Sequence, residues 1–65
     1  MNAKAKRLIR NMRRRGWRFI ECNFTDKGVR AWAHGPWYTS GEVYASGRTL
    51  DVALRRLDEA TRSTT

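Results

Sequence analysis

Residues 17–34, WRFIECNFTDKGVRAWAH, decide the fold. Apolar and polar side chains alternate on both sides of Thr25, Asp26, Lys27 and Gly28, a turn in which glycine supplies the positive φ that hairpin loops commonly need. With all four of these residues in the loop, Phe24 pairs with Val29, Cys22 with Ala31 and Ile20 with Ala33, and one face of the hairpin is wholly apolar. A loop shorter by one residue would pair Cys22 with Trp32 and mix polar with apolar groups on both faces, so the first register is preferred. The opposite face then carries Trp17, Phe19, Glu21 and Asn23 beside Arg30, Trp32 and His34.

Upstream of the hairpin the period changes. Ala5, Leu8, Ile9 and Met12, with Gly16 in line, follow the i, i+3, i+4, i+7 spacing of a helix over residues 3–15. Arg7, Arg10 and Arg14 lie opposite that stripe, Lys6 and Arg13 on one flank, Lys4 and Arg15 on the other. Gly16 is placed to cap the C-terminus. Downstream, Gly35 and Pro36 interrupt the second strand. After a turn carrying Trp37 and Tyr38, a third strand is expected from Ser40 to Ala45, with Val43 and Ala45 facing the core and Glu42 and Tyr44 outward. Thr49 is a good N-cap for a second helix, and Asp51 complements its dipole. The core stripe of that helix is Leu50, Ala53, Leu54, Leu57 and Ala60, and its solvent face pairs Asp51 with Arg55 and Asp58 with Arg62. The expectation is an α+β fold in two layers, α-β-β-β-α, with a three-stranded antiparallel sheet and both helices on one face. Residues 1–61 form a single small domain and residues 62–65 a frayed tail.

Length and element order resemble the double-stranded RNA-binding domain. In that family the first helix, the loop between the first two strands and the start of the last helix touch the duplex. The resemblance therefore implies contacts from the arginine-rich helix, from Lys27 in the TDKG turn and from Arg48. It is a resemblance of element order: the last helix opens RTLDVALRR, with Asp51 where that family carries lysines.

Charge narrows the function. The chain has 65 residues and a net charge of +8, and the whole excess lies in residues 1–19, which hold Lys4, Lys6, Arg7, Arg10, Arg13, Arg14, Arg15 and Arg18 and no acidic residue. A block of like charge stores repulsion that an anionic partner relieves. Arginine forms planar, bidentate hydrogen bonds with phosphate, so nucleic acid, DNA or RNA, is the leading partner. The second reading, from a different class, is a small inhibitor or adaptor, of the size phages and mobile elements encode. It would act on an acidic or nucleic-acid-binding surface of a larger protein, as a monomer or a homodimer. A lipid surface ranks last, because the apolar stripe is narrow and has no aromatic anchor before Trp17.

The outward sheet face offers Trp17, Phe19, Trp32 and Tyr44 among Arg30 and His34. It reads as a protein interface, as a patch shielded by the loop carrying Trp37 and Tyr38, or as a base-stacking platform. Catalysis has little support. His34 is the single histidine, Cys22 falls on the apolar face, and Glu21 and Glu42 point outward without a cleft between them. A lone cysteine forms no internal disulfide, and no cysteine and histidine cluster holds a metal, so no cofactor is expected. No apolar run has membrane-spanning length and no secretion signal is present, which reads as a cytoplasmic protein.

Overall fold

The computed structural model describes residues 3–35 and 41–63. Helix α1 (Ala3–Arg14) leads into strands β1 (Phe19–Thr25), β2 (Gly28–His34) and β3 (Glu42–Gly47), and helix α2 (Leu50–Ser63) follows. The strands form one antiparallel sheet in the order β1-β2-β3. Helix α2 packs on β2 and β3, and α1 packs beside α2. Side chains of both helices and of β2 share one core, built from Ala5, Met12, Trp17, Val29, Ala31, Ala33, Ala53, Leu54 and Leu57. The two-layer α+β architecture read from the periodicities is the one observed.

Hairpin register follows the alternation. Phe24 faces Val29, Cys22 faces Ala31 and Ile20 faces Ala33. The turn is tighter than expected, because Thr25 and Gly28 also pair and leave Asp26 and Lys27 as the connection. Thr25 closes it: its Oγ1 accepts from the Lys27 N–H at 3.2 Å and donates to the Gly28 carbonyl at 3.1 Å. On the far side β2 pairs with β3 so that Ala31 meets Ala45 and Ala33 meets Val43, which extends the apolar face across the sheet. Ala31, Ala33 and Ala45 keep the middle of this face low, so α2 can lie close against it. Strand β3 spans Glu42–Gly47, and the Ser40 start expected for it lies outside the described residues, as do Pro36, Trp37 and Tyr38.

Helix ends obey local chemistry. The Trp17 N–H bonds to the Met12 carbonyl at 3.1 Å and the Gly16 N–H to the Arg13 carbonyl at 3.0 Å, while Gly16 takes φ 102°. This is a Schellman motif, in which the residue after the glycine makes an apolar contact back to the last turn. It corrects the placement of Trp17. Expected on the outward sheet face, Trp17 is instead only 4% exposed and belongs to the core with Met12, two residues before β1 begins. At the start of α2, Thr49 Oγ1 accepts from the Val52 N–H at 3.3 Å, the N-cap read from sequence. The helix runs through Ser63, so it includes Arg62 and Ser63.

Phe24 is the second correction. It sits on the apolar side of the hairpin yet is 66% exposed, because the helical layer does not cover that end of β1.

Gly28 combines φ 140° with a backbone so close to the Gly47 carbonyl oxygen that a Cβ would collide with it. A Gly28→Ala variant should lose roughly 2 kcal/mol or more of stability, read as a lower urea midpoint at unchanged slope.

Candidate nucleic-acid interface

On α1 the outward side chains are cations. Lys4, Lys6, Arg7, Arg10, Arg13 and Arg14 are all exposed, and among the described residues none of them makes an ion pair. Spacings such as Lys6 to Arg10 and Arg10 to Arg14 set like charges one turn apart, each opposing the helix by about 0.2–0.5 kcal/mol. The helix persists because Ala5 and Met12 are fully buried and Leu8 and Ile9 pack against the core. Tertiary burial thus holds a positive surface in a fixed shape.

Arg15 leaves this set. Its Nη2 lies 2.8 Å from Asp58 Oδ1, 2.7 Å from Thr61 Oγ1 and 3.2 Å from the Asp58 carbonyl oxygen, so it faces α2 rather than solvent. Asp58 in turn bonds Arg62 at 2.9 Å, and its side chain is only 4% exposed. The Asp58–Arg62 pair was expected as a surface contact; the carboxylate is instead buried between the helices, with an arginine on each side. Arg15 neutralises a buried anion and is not available to an external phosphate.

A second basic surface lies at the hairpin end of the sheet. A cleft of about 680 Å³ is bordered by Lys27, Arg30, Arg48, Arg55 and Arg56, with no acidic residue among its lining. Lys27 and Arg48, separate candidates in the sequence, come together here. Arg55 and Arg56 were missed, because on a helical wheel they belong to an ordinary solvated face. Only the fold brings them alongside β3, where Arg56 Nη1 donates to the Ser46 carbonyl at 2.9 Å.

Outward side chains of the sheet form cross-strand rows. Asn23, Arg30 and Ser46 make the row at the cleft; Glu21, Trp32 and Tyr44 make the next; His34 and Glu42 lie beyond, opposite the Phe19 position. Tyr44 is 64% exposed and Trp32 half-buried, and the Arg30 guanidinium stands 6.0 Å from the Trp32 ring centre, at the outer reach of a cation–π contact. His34 lies between two carboxylates, 3.1 Å from Glu21 and 3.6 Å from Glu42. Of the aromatic platform expected here, Trp32 and Tyr44 stand together, Trp17 is in the core, and the Phe19 side chain lies outside the described set. On the opposite face Cys22 is half-buried, and burial pushes its thiol up, away from the reactive thiolate. Among the described residues no group of His, Cys, Asp and Glu is placed to hold a metal ion.

No family model, curated protein or solved structure matches the chain.

Truncating Asp58 to Ala strands Arg15 and should cost roughly 2–4 kcal/mol, below the top of the range for a broken buried pair because Arg15 keeps some solvent contact. Arg62→Ala, on the exposed side of the same carboxylate, should cost at most about 1 kcal/mol. Thermal unfolding of the two variants side by side checks the asymmetry.

Proposed function

We propose that the protein binds nucleic acid without catalysis, gripping phosphates through the outward face of α1. The observation that carries this reading is the set of cations Lys4, Lys6, Arg7, Arg10, Arg13 and Arg14, exposed and without ion pairs among the described residues, on a helix whose other side is anchored in the core. Where this protein needs a cation for its own structure, at Asp58, it supplies Arg15 and Arg62 with short contacts. Among the described residues the remaining α1 cations make no such pair. Holding them in place stores repulsion, and a polyanion releases it.

Nucleic acid fits this surface better than a lipid headgroup layer. Docking α1 in the core draws its apolar stripe inward, with Ala5 and Met12 fully buried and Leu8 and Ile9 packed against them, so α1 has little apolar surface to insert between acyl chains. No described helix is long and apolar enough to cross a membrane. A phosphate backbone asks only for a regular array of donors and tolerates any base sequence, which suits a smooth arginine face.

Binding of this kind displaces counterions. With about five phosphates neutralised on duplex DNA, the logarithm of the association constant should fall with the logarithm of salt concentration at a slope of about −4 to −5. Replacing Arg7, Arg10 and Arg14 together by Glu should abolish duplex binding while the circular dichroism spectrum stays that of the parent. A folded triple variant that retains the parent affinity rejects α1 as the contact surface.

A further inference from the structure

The outward sheet face and the basic cleft adjoin through one residue, Arg30, which lines the cleft and stands beside Trp32. Trp32 and Tyr44 face each other directly across β2 and β3, which brings their Cβ atoms to about 4.5–5.5 Å and makes one continuous aromatic surface. That surface lies on the side of the sheet opposite both helices. Arg30, the cleft cation on this face, is two residues from Trp32 along β2, about 7 Å, a separation comparable with that between a nucleotide's phosphate and its base.

We infer that the hairpin end of the sheet is a docking site for a short single-stranded nucleic-acid segment, with unstacked bases resting on Trp32 and Tyr44 and phosphates met first by Arg30 and then, around the end of the sheet, by the cleft cations Lys27, Arg48, Arg55 and Arg56. The inference goes beyond the proposal for α1 and uses none of its residues. Charge selects the occupant: the cleft lining has five cations and no acid, so it favours a polyanion over a neutral or basic partner. Aromatic exposure selects the form. A duplex keeps its base faces stacked on one another, whereas a single strand presents them to any flat ring, in a sequence-tolerant way. Polarity of the face sets the orientation. Glu21 and Glu42, gathered on His34 beyond the cleft, repel phosphates from that end and confine the backbone to the hairpin end.

Fluorescence anisotropy with a labelled oligo-dT and with a duplex of equal length tests this in the full chain. Tyr44→Ala and Trp32→Ala should each weaken single-strand binding by about 5- to 150-fold, with duplex affinity unchanged. Trp32→Phe, which keeps a ring, should retain most of the single-strand affinity. Arg48→Glu with Arg55→Glu should weaken single-strand binding without involving the aromatic row, so the inference survives testing even if Trp32→Ala compromises folding. Single-strand affinity that is undetectable in the parent overturns the proposal, as does parent-like affinity in folded Tyr44→Ala and in the double arginine variant. Failure of the α1 reading looks different: the Arg7, Arg10, Arg14 triple variant would keep duplex binding, whatever the sheet variants do.

Discussion

A single buried carboxylate ties the helical layer together. Asp58 lies between the helices with its side chain almost fully enclosed, and an ion so placed is costly unless it is paired and hydrogen-bonded. Arg15 meets it from the end of α1, Arg62 from the next turn of α2, and Thr61 adds a hydroxyl that donates to the Asp58 carbonyl. The seam fixes where α1 ends. One residue later the chain turns left-handed at Gly16, and Trp17 drops into the core beside Met12. A short cationic helix with little apolar area would otherwise have small reason to stay docked, since much of its own sequence opposes it.

The sheet was legible because its signals are local. Period-two alternation from Ile20 to Phe24 and from Val29 to Ala33, with a glycine at the turn, admits one register that separates the faces, and that register is the one formed. Thr49 declared the start of α2 by the same kind of short-range chemistry. The misreadings share a cause too. Trp17 continues the alternation in sequence, but the capping geometry of α1 takes precedence over the strand pattern and claims the residue for the core. Phe24 obeys the alternation, but its burial depended on how far the helices reach, which no local pattern states. Asp58 and Thr61 sit one helical turn beyond Leu54 and Leu57, on the stripe that meets α1; their polarity concealed that, and the arginine that makes burial tolerable is far away in sequence.

The candidate sites divide in the same way. The α1 cations could be named from the sequence because charge and helical period lie in one segment, and only Arg15 had to be withdrawn. The cleft could not be, since Lys27, Arg30, Arg48, Arg55 and Arg56 come from a turn, a strand, a strand-to-helix connection and a helix, and become one surface only when β3 and α2 close beside the hairpin. Positive charge therefore occupies two distinct regions of a very small molecule, one on the helical layer and one at an end of the sheet. Other polar side chains do internal work: Arg15 and Arg62 bond Asp58, and His34 lies between Glu21 and Glu42.

A sheet of three strands has two open borders, and the outer border of β3 carries its own guard. With the Ser46 carbonyl already engaged by Arg56, a foreign strand seeking to lengthen the sheet there would lose one of its rungs and meet a guanidinium in its path. The same arginine that helps wall the cleft thereby discourages ribbon-like stacking of one molecule upon the next, a safeguard of real worth to a chain with so little interior of its own.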